Sequence, residues 1–255
     1  MSAIETTALT KRYGSTTAVN QLDLSVPEGT VYGFLGPNGA GKTTTMRILT
    51  GLTTPTSGSA TVAGVPVTDR DSLRPHIGYL PEEPPLYEQA TAYEQLEYVA
   101  GLRDLPQQET QERIDNLLDR LDLPQKDAAS RIADYSKGMR QKVAYVQAIL
   151  HDPAVAFLDE PTSGLDPRAA RTIRTLIHEL TNEGTTVFLS THILPVVEEV
   201  ADTVGILYDG QLVAEDTPDQ LTRRAETGDA RTLEDAFLEL TSTDPAETDA
   251  ETTHG

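Results

Sequence analysis

Three observations on this 255-residue chain predict an α/β fold with a mostly parallel sheet, a small antiparallel β part and an inserted helical subdomain. Five short runs rich in Val, Ile, Leu and Phe (31–35, 77–80, 155–158, 186–189 and 204–208) are continuously apolar, as strands buried on both faces must be. Helical patterns lie between most of them, the alternation that a parallel sheet with crossover helices requires. A glycine-rich turn follows the first run directly and opens a helical stretch.

Taken in order, residues 1–30 and 58–68 alternate apolar and polar positions, which predicts short strands of the antiparallel part. VYGFL at 31–35 is the first core strand, and TTTMRILTGL after the turn is helical. Residues 85–135 read differently. TAYEQLEYVAGLRDL sets Leu96, Val99 and Leu102 at helical spacing, and QQETQERIDNLLDRLDL does the same with Ile114, Leu117, Leu118 and Leu121. Two amphipathic helices with no strand between them predict a helical subdomain at about 85–150. The domain is expected to span 1–240, and 241–255 reads as an acidic, small-residue, disordered tail.

With 38% hydrophobic and 24% charged residues, the chain is neither collagen-like nor wholly disordered. The absence of cysteine excludes disulfides, thiolate metal sites and cysteine nucleophiles. Forty acidic against 20 basic residues give a net charge of −20, which repels phosphate backbones, so no nucleic-acid partner is expected. Only five of the basic residues are Lys, and this acidic balance suits a high-salt cytoplasm, where screening suppresses self-repulsion. No stretch approaches the roughly 20 apolar residues that cross a bilayer. The N-terminus lacks a basic region followed by an apolar run, so a cytoplasmic location is expected unless a partner holds the chain at a membrane.

The segment Gly36, Pro37, Asn38, Gly39, Ala40, Gly41, Lys42, Thr43 fits G-x-x-x-x-G-K-[ST] and sits between strand and helix, the context of a phosphate-binding loop and hence of a P-loop NTPase core. Its glycines let backbone N–H groups converge on the β- and γ-phosphates. Lys42 can reach phosphate oxygens, and the Thr43 hydroxyl can ligate Mg²⁺. The run 155–158 delivers Asp159 and Glu160 to a strand's carboxyl end, where ligands bind in open α/β sheets. Asp159 is the candidate Mg²⁺ ligand, and Glu160 the group that polarises the attacking water. A third apolar strand, 186–189, ends in Ser190, Thr191 and His192, which brings the histidine to the same sheet edge. In Asp134-Tyr-Ser-Lys-Gly-Met-Arg-Gln-Lys142, Ser136 is a good N-cap and Gly138 permits close backbone approach. Lys137 and Arg140 then fall in the first helical turn, where cations oppose the dipole unless an anion docks there.

This arrangement resembles the ATP-binding subunits of ABC transporters over roughly residues 3–240, with that family's motif order kept. The resemblance implies ATP and Mg²⁺ as ligands and assigns Tyr13 to adenine stacking, Gly36 to Thr44 to the phosphates, and Glu82 to the glutamine loop, where it can ligate Mg²⁺. It further assigns Tyr135 to Met139 to the signature, Asp159 and Glu160 to the acid pair, Asp166 to the dimer seam and His192 to the γ-phosphate. Two positions depart from the usual pattern: Glu82 stands where Gln is common, and Tyr-Ser-Lys-Gly-Met where Leu-Ser-Gly-Gly-Gln is common. Both variants, and the terminal TLEDAFLELT, resemble the exporter-type branch whose ATPase subunits serve separate membrane proteins. The implied partners are a membrane-spanning permease, docking around Glu82 to Ala100, and a second ATP-binding subunit whose Ser136, Lys137 and Gly138 close over ATP. The location implied is the inner face of the membrane.

A soluble ABC-type ATPase acting on ribosomes or DNA is the alternative, against which stand the −20 charge and the lack of a second cassette. A P-loop kinase or GTPase leaves the Ser136–Met139 segment unexplained. The cargo lies outside this chain's sequence.

Overall fold

The structure, a computed structural model, describes residues 1–224 and 232–242; the tail expected beyond 241 lies almost wholly outside the described residues. The chain opens with a long antiparallel hairpin, β1 (Ser2–Tyr13) and β2 (Thr16–Pro27), whose register shifts four times. These strands are longer than the short ones expected, because each bulge realigns the apolar positions with the core face. β4 (Ser57–Val62) pairs with β1, and β5 (Val65–Pro66) with β4, giving the antiparallel sheet β2-β1-β4-β5.

The second sheet has the order β10-β9-β3-β8-β7-β6. Its parallel strands are β3 (Val31–Leu35), β6 (Ile77–Leu80), β7 (Val155–Asp159), β8 (Thr186–Thr191) and β9 (Thr203–Tyr208), which coincide with the five apolar runs. β3, β7 and β8 are buried at every position, so side chains on both faces pack: Tyr32 stacks on Phe188 at 5.3 Å, and Phe34 and Phe157 tilt against the same ring. β10 (Gln211–Asp216) adds an antiparallel edge that the sequence reading missed, since its apolar positions are only half buried. The parallel register sets Leu35 beside Thr191 and Asp159 beside Ser190, which aligns three strand ends at one edge.

Helices cover this sheet. α1 (Lys42–Leu49) follows β3, α2 (Arg70–Leu73) and a 3₁₀ turn at 74–76 precede β6, and α7 (Pro167–Asn182) and α8 (Leu194–Val200) flank β8. α9 (Pro218–Arg224) and α10 (Leu233–Ser242) pack near the β9 edge through Leu221 and Leu233. Between β6 and β7 lie α3 (Ala92–Leu102), α4 (Gln107–Arg120), α5 (Gln125–Ala128) and α6 (Lys137–Ile149), the helical insertion. A capping box between Thr91 and Glu94 starts α3, and Ile114, Leu117 and Leu118 bury the inner stripe of α4. Leu96 is buried as expected, but Leu102 is 53% exposed at the last turn of α3.

Candidate active site

The turn after β3 is shaped by close backbone approach. A Cβ at Gly36 would collide with the Leu207 carbonyl of β9, and one at Gly41, which has φ +109°, with the Ala18 carbonyl of β2. Gly41 is also the N-cap of α1 and offers no side-chain acceptor, and the helix has no acidic residue in its first turn. Its first N–H groups therefore lack a side-chain acceptor beside the positive dipole end, the arrangement that binds an anion. Lys42 is 7% exposed, and its ammonium donates to the Gly36 carbonyl at 2.6 Å and the Pro37 carbonyl at 3.2 Å. Burial lowers its pKa, while Glu160, Asp159 and Glu82 work in the opposite direction.

A cleft of about 230 Å³ opens beside this loop. Its lining joins Asn38, Gly39 and Gly41 to Thr44 of the loop segment with Glu82, Asp159, Glu160 and His192, so four separate chain regions meet there as the sequence predicts. Ala18 is the lining residue that the sequence reading missed; no polarity or spacing signal marks it, only the Gly41 approach. Asp159 is 2% exposed, and burial raises its pKa; the nearby hydroxyls of Ser190 and Thr43 oppose this, and Glu160 and Glu82 reinforce it.

Glu160 has φ +49°, a left-handed conformation costly for a residue with a Cβ, and it is 8% exposed. Its N–H donates to the Ser190 carbonyl at 2.8 Å. One carboxylate oxygen accepts from the Thr191 hydroxyl at 3.0 Å, and the other lies 2.8 Å from His192 Nδ1. An ionised carboxylate only accepts, so this pairing puts the proton on Nδ1. Strand β8 thus supplies an orienting bond to Glu160 that the polar ending of 186–192 hinted at but could not specify.

The remaining predicted residues lie elsewhere. Tyr13 is half exposed at the end of β1, outside the cleft lining, with the Lys11 ammonium 5.0 Å from its ring centre. Ser136 caps α6 as expected, its hydroxyl accepting from Met139 N–H at 3.2 Å. Together with Lys137 and Gly138 it stands outside that lining. Of the first-turn cations, Arg140 is not uncompensated, which corrects the sequence reading: it donates to the carbonyls of Ile132 and Ala133. Lys137 lies against Gly164. Asp166 caps α7, accepting from Arg168 and Ala169 N–H at 3.0 Å, and these bonds hold its carboxyl below the usual range.

Strand, glycine loop, helix and paired carboxylates at one sheet edge define a P-loop ATPase of the α/β class. Residues 19–163 match the ABC transporter family, and the chain belongs to it. It is 39% identical to the bacitracin transport ATP-binding protein BcrA of Enterococcus faecalis over 87% of this chain and 71% of that one. Among solved structures, an ATP-binding subunit of an ABC transporter superposes with a TM-score of 0.85 at 33% identity, covering 93% of this chain and 99% of that one. An ATP-binding cassette in a dimeric, post-hydrolysis state bound to ADP and phosphate gives 0.77 at 25% identity over 84% and 98%. The chain is an ATP-hydrolysing subunit that powers transport. Subunits of this family act with membrane permeases and dimerise. Among the described residues no helix is long and apolar enough to cross a membrane.

Proposed function

We propose that this subunit drives export through a separate permease at the cytoplasmic face of the membrane, with ATP held in the cleft beside Lys42 and hydrolysed at Glu160. The single observation that carries the assignment is the Glu160 carboxylate, bonded by Thr191 and His192 and set beside the phosphate loop. Lys42 and the first-turn N–H groups of α1 would bind the β- and γ-phosphates and meet the charge that develops on the transferring phosphoryl group. Glu160 would take a proton from the attacking water, and His192, bonded to it, would fix the carboxylate's orientation and touch the γ-phosphate. Tyr13 would stack on adenine.

A divalent cation fits the oxygen donors present. Buried Asp159, the Thr43 hydroxyl and Glu82 are hard ligands too few to form an all-protein cage, which suits Mg²⁺ with its retained waters and phosphate oxygens. When bound, it would neutralise phosphate charge. The helical insertion at 85–150 and the core, within 1–240, are read as one functional unit. Ser136, Lys137 and Gly138 would close over ATP held by a second copy in a two-fold pair. The acidic surface fits a high-salt cytoplasm.

The permease is proposed to dock in a groove of about 340 Å³ where α3 and α6 meet the core. Leu52 and Val99 give it an apolar wall, while Arg70, Arg74 and Arg103 carry charges that no carboxylate pairs among the described residues. In so acidic a chain this cationic patch suits a short partner helix bearing an apolar residue and a carboxylate.

Two variants test the site. Lys42→Ala should lose about 10²-fold or more in ATP hydrolysis. Glu160→Gln should keep ATP binding and lose about 10²- to 10⁴-fold in turnover. Parent-rate hydrolysis in Lys42→Ala would overturn the assignment.

A further inference from the structure

We infer that Gln141 is a positioning residue for hydrolysis, joining helix α6 to the catalytic loop that begins at Glu160. The inference rests on the reading of Glu160 as the group that activates water. Gln141 lies one turn into α6, is 5% exposed, and its Nε2 donates to the Pro161 carbonyl at 3.2 Å. Among the described residues it makes the only side-chain hydrogen bond from α6 into residues 160–166.

That segment needs external support. Glu160 is left-handed, Pro161 follows at once, and the Thr162 hydroxyl is buried with no partner. The turn's own bonds, Ser163 N–H to the Glu160 carbonyl at 3.1 Å and Leu165 N–H to the Thr162 carbonyl at 3.2 Å, fix its shape but not its placement. Placement comes from two sides. β8 holds Glu160 through the Ser190 carbonyl and the Thr191 hydroxyl, and α6 holds the next residue through Gln141. A shift of Pro161 by a fraction of an ångström swings the Glu160 carboxylate relative to the phosphate loop, and catalytic geometry tolerates little such displacement.

The same helix carries Ser136 and Gly138 at its start. Lys137 lies against Gly164, and a Cβ at Gly138 would sit 3.6 Å from Ala169 of α7. The start of α6 and the loop that follows Glu160 therefore move together, with Gln141 as their polar pin. A contact that displaces α6 is felt at Glu160 of the same chain.

The test uses the full chain with ATP and Mg²⁺. Gln141→Met, which keeps the length and removes the donor, should lower kcat at least about tenfold while KM for ATP stays within about twofold, since phosphate binding is untouched. Adding Gln141→Met to Glu160→Gln should change the residual rate by less than about twofold, because a residue that acts through Glu160 has nothing left to position. A kcat within about twofold of the parent, or the same loss in both backgrounds, would overturn the inference. If Gln141→Met does not fold, Gln141→Glu, of the same length, is read by the same two criteria. Glu160→Gln hydrolysing at the parent rate would instead sink the reading of Glu160 itself; a crippled Glu160→Gln beside a parent-like Gln141→Met sinks the role of Gln141 alone.

Discussion

His151 shows how one side chain links the insertion to the core and to pH. It follows α6, and its Nε2–H donates to the Ile77 carbonyl at the start of β6, at 2.9 Å, while Nδ1 is buried without a partner. Burial lowers its pKa from 6.5 to about 4, helped by the charges of Arg103 and Arg113 and opposed by the Ile77 carbonyl and Asp152. The folded state thus binds fewer protons than the unfolded one, so this contribution to stability is full above pH 6.5 and is lost as pH falls toward about 4. Urea unfolding across that window should show a falling midpoint, with a shallower fall in His151→Gln; equal slopes would contradict the assignment. At this scale the sequence exposed Lys42, Asp159 and Glu160 because each ends or follows an apolar strand. It did not expose the His192–Glu160 bond, which spans 32 residues and depends on β7 and β8 pairing in one register. It also misjudged Arg140, whose carbonyl acceptors belong to a 3₁₀ turn at 132–134 that periodicity does not reveal.

The elements most legible in the sequence were those with a single dominant period. The five core runs became parallel strands, and Ile114, Leu117, Leu118 and Leu121 became the inner face of the insertion. Where two demands compete, the pattern blurs: the bulged β1–β2 hairpin shifts register, and α3 turns Tyr98 and Leu102 outward. Their neighbours Val99 and Arg103 line the cationic groove, while Glu94, inside the stretch expected to dock the permease, is occupied in the fold: its carboxylate accepts from Thr91 N–H at 2.8 Å to cap α3. The Arg70 side chain lines the groove and makes no hydrogen bond or ion pair shown among the described residues. Arg70→Glu should therefore leave basal hydrolysis within about twofold and lower partner-stimulated hydrolysis about tenfold, by reversing complementarity at the groove. Equal loss of both activities, measured with the permease in vesicles, would place docking elsewhere.

The whole molecule carries its charge unevenly. A net −20 surrounds a site where Lys42 faces three carboxylates, Glu82, Asp159 and Glu160, so binding a nucleotide anion needs cations from outside the cleft lining. Mg²⁺ is one proposed source, and a second copy's Lys137 is another. Two such copies of 27.6 kDa should be held together by ATP and released when Glu160 turns it over. Salt should favour the pair by screening the repulsion between two acidic chains. The most direct measurement is the mass of Glu160→Gln by light scattering with ATP and Mg²⁺, at low and high salt, alone and with Ser136→Arg added. Twice the 27.6 kDa monomer mass is expected with ATP, most completely at high salt, and a return to one copy with ATP still bound when Ser136→Arg is present. A Glu160→Gln chain that binds ATP and remains at 27.6 kDa in every condition would contradict it.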